Sequence, residues 1–337
     1  ALYNEIECPA VAVTNAFNTV IYTGNGSTQS ITSLDFQPDL VWTKQRSSPN
    51  RDHQSNDSVR GANKILYPNL SVAEDTAGGV GSAYFNSFDS NGFTVGSSPY
   101  YNGSGLNYVT WNWKAGGTAV SNTDGTITSQ VSANVDAGFS IVKYTGNENA
   151  NQTVGHGLSQ APEIVFTKQL DGTREWTVPL LSGFSTGNYL VLNDTNTLAD
   201  DNNRWSSISS STITIGASPF TNGSGSPYIS YFFHSVAGYS KVGSYTGTGA
   251  TGNVQYVGFE PAFLMIKNTT GGSSWVIFDN KRNPSNPKED ALFPNLSSAE
   301  YTFSNTGINF LSNSFSLISN PGETNGSGQT YIFLAIK

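Results

Sequence analysis

The sequence predicts an all-β protein: three tandem, homologous antiparallel β-sandwich or jelly-roll-like domains behind a short N-terminal arm. Three observations carry that expectation. Charged residues make up only 12% of the 337-residue chain, about half the usual share. Its polar surface must therefore come from Ser, Thr, Asn and Gly, which suits strands and turns better than solvated helices. Gly (35) and Pro (14) punctuate the chain with turn signals, and no stretch shows a convincing apolar period of 3.6. Finally, a set of short sequence blocks recurs three times in constant order.

The repeat sets the organisation. "YTGNGS" from Tyr22 returns as "YTGNEN" from Tyr144 and "YTGTGA" from Tyr245. "PDLVWTK" from Pro38, "PEIVFTK" from Pro162 and "PAFLMIK" from Pro261 each read as a strand ending in Lys. "LYPNLSVAED" from Leu66 and "LFPNLSSAEY" from Leu292 share a weaker version, "LVLNDTNTLAD" from Leu190. "FTVGSSP", "ITIGASP" and "FSLISNP" then precede "NGSGLNYVTWNWK" from Asn102, "NGSGSPYISYFFH" from Asn222 and "NGSGQTYIFLAIK" from Asn325. The units run over 19–117, 140–238 and 239–337, each close to an ordinary domain of about 100 residues. Residues 118–139 read as a Ser/Thr/Asn-rich linker and residues 1–18 as a docking arm. Asn91-Gly92 between "YFNSFDS" and "FTVGSS" marks a tight hairpin.

Taken together, "YTGNGSTQSITSLDFQPDLVWTKQRSS", "DSVRGANKILYPN", "FDSNGFTVGSS" and "NYVTWNWKAGG" resemble a repeated domain of unknown function found in structural proteins of tailed phages, especially marine ones, often tail-fibre-like. Unit 1 matches along nearly its whole length; units 2 and 3 keep the skeleton and drift. The resemblance implies a virion component on the extracellular particle surface, in contact with other virion proteins. It brings no catalytic motif.

Composition narrows the partners. Formal net charge is −8 with no basic cluster, so no nucleic acid is expected, because phosphate neutralisation needs a cationic stripe. No apolar run approaches the ~20 residues of a membrane helix. Cys8 is the only cysteine, so stability is expected from packing, without an internal disulfide or a cysteine-held zinc. His53, His156 and His234 fall in different blocks, against a shared catalytic or metal site. The oxygen-rich loop from Asp194 to Asp201 offers ligands for calcium but lacks EF-hand spacing, so no cofactor is expected. Asp200-Asp201 and Glu289-Asp290 are adjacent acids; on a strand they would point to opposite faces, unlike a glycosidase pair. No enzyme is expected. Asp57 and Arg60, echoed by Asp279 and Arg282, read either as a ligand-binding pair or as an ion pair pinning a loop, and the second is expected; unit 2 has Leu180 and Gly183 there. The repeated "NGS" sequons are explained by turn geometry.

Loops that differ between copies are where recognition is expected. Arg51, His53, Arg174, Trp176, Trp275 and Lys288 are therefore the candidate ligand or partner contacts. The leading expectation is a tail-associated fibre or receptor-binding protein that touches host-surface glycan through these loops. The alternative is a multi-copy capsid decoration protein acting as a pseudo-trimer. The absence of a heptad stretch weakens the free-standing fibre. The aromatics of "NYVTWNWK" read as core: Val109, Trp111 and Trp113 are matched by Ile229, Tyr231 and Phe233 and by Ile332, Leu334 and Ile336. A sugar platform needs rings, whereas an interior accepts aliphatic substitutes. That face is expected to bury against a second sheet.

Overall fold

The computed structural model describes residues 13–304, 307–318 and 322–337, and among them it contains 27 strands in antiparallel sheets and no helix. Residues 1–12, most of the expected arm, lie outside the described residues. Each repeat builds the same pair of sheets. In unit 1 the first sheet has the strand order Phe17–Thr23, Asn107–Trp113, Leu40–Gln45, Gln54–Asp57, and the second Gln29–Ile31, Gly92–Val95, Phe85–Asp89. Unit 3 repeats this with Ser240–Thr246, Thr330–Ile336, Phe263–Asn268, Val276–Asp279 and then Asn253–Tyr256, Ser314–Leu317, Ile308–Leu311. Unit 2 does so with Phe139–Thr145, Pro227–Phe233, Ile164–Gln169, Thr177–Pro179 and then Gln152–Gly155, Thr212–Ile215, Ser207–Ile208. The first strand of a unit always pairs with its last.

Residues 118–139, expected as a linker, are folded. Val120–Asn122 and Ser129–Asn134 add two strands to the edge of unit 2's first sheet, with Val142 opposite Val131. Ile127 and Val131 enter the unit 2 core. Apolar Val and Ile spaced among Ser and Thr are enough for a half-buried strand.

The two most repeated motifs hold each other. Tyr22 lies opposite Tyr108, Tyr144 opposite Tyr228 and Tyr245 opposite Tyr331, and each pair stacks with ring centroids 5.2, 5.3 and 5.0 Å apart. As expected from their recurrence, the second tyrosines are packed and satisfied. Tyr108 Oη donates to Pro99 O and accepts from Gly103 N, and Tyr228 and Tyr331 repeat the arrangement with Pro219 and Gly223, and with Gly322 and Gly326. Asn102, Asn222 and Asn325 are fully buried, each accepting a backbone N–H from the opposing YTG turn at 2.8–2.9 Å. The sequon asparagines at this position are structural. Gly24 is obligatory in the clasp, since a Cβ there would lie 2.3 Å from Gly103 O.

Which face meets which partner goes beyond the sequence expectation. Inside unit 1, Val20, Ile31, Val41, Phe85, Phe93 and Val95 form the core between its two sheets. Equivalent cores sit inside units 2 and 3. The Val109, Trp111 and Trp113 face is buried as expected, but not against its own second sheet. It joins a fourth cluster, shared by all three units, with Phe139, Phe166, Tyr231 and Phe233 of unit 2 and Phe263, Met265, Leu334 and Ile336 of unit 3. Trp113 is the hub: its ring lies 6.4 Å from Phe139, 6.3 Å from Phe233 and 5.7 Å from Phe263. The first sheet of each unit is thus covered on both faces, once by its own sandwich and once by the other two units. The inward-facing remainder of the strand is more permissive: Thr110 and Asn112 are buried and hydrogen-bonded in unit 1, where unit 3 has Phe333 and Ala335.

Replacing Trp113 by Ala should cost ~3–5 kcal/mol. Because the lost ring serves all three units, calorimetry should show one transition shifted as a whole; a lone low-temperature transition for unit 1 would contradict the shared core.

Candidate functional site

The chemistry of this protein is concentrated at the seams between units, where the same polar contacts recur three times in a closed cycle. The residue just before the fourth strand is His53 in unit 1, Trp176 in unit 2 and Trp275 in unit 3. His53 Nε2 meets Phe293 O of unit 3 at 3.0 Å; Trp176 Nε1 donates to Tyr67 O of unit 1 at 3.0 Å; Trp275 Nε1 donates to Val191 O of unit 2 at 2.8 Å. The three acceptors occupy one repeat position, the second residue of "LYPN", "LVLN" and "LFPN". The last residue of each block, Asn69, Asn193 or Asn295, accepts the backbone N–H of His53, Trp176 or Trp275 in its own unit at 2.8–3.0 Å.

A second cycle is purely backbone. Glu74 N donates to Leu170 O, Leu198 N to Thr269 O and Glu300 N to Arg46 O, at 2.8, 2.8 and 2.9 Å. Each donor lies eight residues after the leucine that opens its block, and each acceptor two after the repeated lysine. Those lysines complete the seam. Lys44 Nζ binds Gln45 O and reaches Ser297 O of unit 3; Lys267 Nζ binds Asn268 O and Ser273 O and reaches Thr195 O of unit 2; Lys168 Nζ binds Gln169 O and Gly172 O. All three are buried, and burial pulls each ammonium down to about 8. Carbonyl oxygens, not carboxylates, satisfy their protons, so these cations tie loops instead of pairing charges.

The acid–base pairs occupy two seams only. Arg60 binds Asp57 at 2.5 Å and Glu74 at 3.1 Å, with no exposed guanidinium surface, and Tyr231 of unit 2 donates to the same Asp57 at 2.8 Å. Arg282 binds Asp279 at 2.6 Å and Glu300 at 3.0 Å, and Trp111 of unit 1 donates to Asp279 at 3.1 Å. The loop-pinning ion pair expected from sequence is present in both copies and carries a contact to the neighbouring unit besides. At the third seam every one of these groups is replaced: Leu180, Gly183 and Leu198 stand for the Asp, Arg and Glu, and Leu334 stands for the aromatic donor.

Of the six contacts proposed from sequence, four are turned inward. His53, Trp176, Trp275 and Lys288 are buried and cannot present to a ligand. The first three are ties between units; Lys288 Nζ is bound by Pro284 O and Ser285 O within its own loop. Arg51 and Arg174 are half-buried and lie over the rings of Tyr100 and Phe220 at 5.0 and 5.1 Å. The structure does not gather the six into one surface. The seam asparagines escaped sequence reasoning, although the Leu-x-x-Asn spacing kept in all three copies was the available signal. Among the described residues no group of three or more His, Cys, Asp or Glu is placed to hold a metal ion, and no helix is long and apolar enough to cross a membrane.

His53 is chemically distinct from its tryptophan counterparts. Trp42 Nε1 donates to its Nδ1 at 2.9 Å, so Nε2 carries the proton given to Phe293 O. Burial, followed by the nearby Lys44 charge, holds its pKa well below the ordinary value. A proton added at Nδ1 would point at the Trp42 N–H.

Three like sandwiches, a common core and two closed cycles of seam bonds define a single-chain pseudo-trimer of β-sandwiches. The chain belongs to the family described as Domain of unknown function (DUF7483), whose model matches residues 12–337. No curated protein matches it.

Two outcomes follow from the seams. Arg60→Met alone leaves Asp57 buried without its cation, Glu74 keeping Lys64 at 3.0 Å, and should cost ~3–5 kcal/mol in denaturant unfolding. The triple change Asp57→Leu, Arg60→Met, Tyr231→Leu removes the buried acid together with its cation and its donor, leaves Glu74 paired with Lys64, and should cost less than the single one. For His53 the folded pKa is depressed, so the folded form stays neutral while the unfolded chain takes up a proton below pH ~6.5. Stability should be full above that pH and fall by up to ~1.4 kcal/mol per unit on acidification toward the folded pKa. His53→Gln should reduce that slope, leaving the share of His156, which burial also lowers, to about 4; an unchanged slope would exclude His53 as a source.

Proposed function

We propose that this protein is a non-catalytic structural component of a virus particle, with its three units acting as one pseudo-trimeric block at a threefold or quasi-threefold position on the capsid. The observation that carries the reading is the closure of the seams. Each unit offers one surface to the unit before it and a different surface to the unit after it, and three steps complete the ring. Heterologous contacts that close in this way match the symmetry of a threefold site. The resemblance to tailed-phage structural proteins supports the virion assignment, and the burial of four of the six loop candidates argues for a scaffold over a glycan-reading surface. Arg51 and Arg174 remain on loops that a neighbouring subunit could touch.

Copy number in the particle tests this. Mass spectrometry and image reconstruction of virions should find hundreds of copies at threefold positions of the shell. A handful of copies at the tail, together with purified protein that competes with particle adsorption to host cells, would transfer the block to the receptor-binding role.

A further inference from the structure

The three sandwiches share their strands but not what lies between their sheets. On the side of its first sheet that looks into the sandwich, unit 1 places Thr43, Gln54, Asn56, Thr110 and Asn112 around Val20 and Val41. All five polar residues are fully buried. The same positions in unit 3 hold Ile266, Val276, Phe278, Phe333 and Ala335, every one of them part of that unit's core. Unit 1 accordingly has the smallest internal core, with ten buried apolar residues against twelve in unit 2 and fifteen in unit 3.

These polar groups are only partly satisfied. Asn112 Nδ2 donates to Asn18 O and Gln54 Nε2 to Asp52 O, which turns each amide oxygen away from the main chain. Asn112 Oδ1, Gln54 Oε1 and Thr43 Oγ1 are then buried without a hydrogen-bond partner among the described residues. Register sets Thr43 directly opposite both Gln54 and Thr110, and Asn112 one pair further along the strand, so the three lie in one patch. What the second sheet brings to this interior is Ile31, Phe85, Phe93 and Val95, side chains with no donor to give. Unit 2 avoids the problem: Thr167 and Ser230 bond each other at 2.9 Å, and Thr177 accepts from Arg204 at 3.0 Å.

Separating the two sheets has opposite consequences in units 1 and 3. In unit 3 water would meet Ile266, Phe278 and Phe333, which opposes opening. In unit 1 water would reach oxygens that closure leaves unpaired, and opening recovers their hydrogen bonds. The first sheet cannot be the part that moves, because its other face carries Trp111 and Trp113 in the core shared by all three units. The second sheet is free to move, since its outer side shows the Ser30–Thr94 hydroxyl pair at the surface. We propose that the second sheet of unit 1, strands Gln29–Ile31, Gly92–Val95 and Phe85–Asp89, is a flap that swings off the first sheet while the three-unit core stays closed. Its counterparts in units 2 and 3 stay shut. The flap is a property of the isolated chain, so its test is independent of copy number on a particle.

Native-state hydrogen exchange of the full chain, read by mass spectrometry, tests this. Amides of residues 85–95 should exchange about a hundredfold faster than those of 308–317, the matching strands of unit 3. The first-sheet strand Asn107–Trp113 should stay as protected as Thr330–Ile336. Thr43→Val deletes one unpaired oxygen while keeping the side chain's shape, and should slow exchange of 85–95 about tenfold with 308–317 unchanged. Ile266→Thr plants the same hydroxyl in unit 3 and should speed 308–317 about tenfold with 85–95 unchanged. Three results would overturn the proposal: equal exchange of 85–95 and 308–317, exchange of Asn107–Trp113 in step with 85–95, or a Thr43→Val effect spread evenly over all three units.

Discussion

The structure depends on one constraint: the first sheet of each unit is buried on both faces. One face is covered by the unit's own second sheet, but Trp111 and Trp113, Tyr231 and Phe233, Leu334 and Ile336 face the other way. A lone unit would expose these to water, at a cost of about 25 cal/mol for each Å² of apolar surface. Three sheets placed around a common axis solve this for one another, because each covers part of both neighbours. The ring is therefore a condition of folding, not an assembly of finished domains. Beads displayed in series would leave three apolar faces exposed.

Apolar packing of this kind sets no register, and the seam bonds supply it. A core of Trp, Phe, Leu and Ile tolerates sliding and substitution, whereas a buried N–H opposite one carbonyl does not, since an unmade buried hydrogen bond costs about 1–3 kcal/mol. His53, Trp176 and Trp275 each present one polar atom beyond a ring already packed in the core. The buried lysines act similarly, bringing carbonyls from two units to one ammonium at Lys44 and Lys267. The division of labour is clear: the rings supply affinity between units, and the few polar atoms at their edges fix the angle.

Much of this was legible in the sequence, and the limit was a matter of range. Repeated blocks pointed to three like units, because a block repeated at constant spacing must do the same local job three times. The tyrosine–turn clasp was legible for the same reason, since Tyr108, Asn102 and Gly24 are local to one unit. Alternation correctly marked Trp111 and Trp113 as interior, but period two says only that a face is buried, not by what. The partner of that face lies more than a hundred residues away, as with Trp111 and Asp279. The same blindness made Trp176 and Trp275 look like loop contacts: a Trp after a polar loop reads alike whether it points into solvent or into the next unit. Residues 118–139 were misread for a different reason, because composition rich in Ser and Thr does not distinguish a linker from an edge hairpin.

Fusing three units into one chain has a consequence that three separate copies could not share. In a homotrimer each seam repeats one sequence, so a change at one position appears at all three interfaces. Here the changes are coupled across a single seam: the acceptor Asp becomes Leu180 in unit 2, and the donor ring becomes Leu334 in unit 3, while the other two seams keep acid and aromatic. Each substitution alone would strand a polar group, and together they leave none of that cluster behind. Covalent linkage holds the ring closed at high effective concentration, so the third seam can lose its ion pair without loss of assembly. What it gains is asymmetry. A block with three equal seams would look alike from three directions, and a third seam stripped of acid, base and aromatic donor removes that degeneracy.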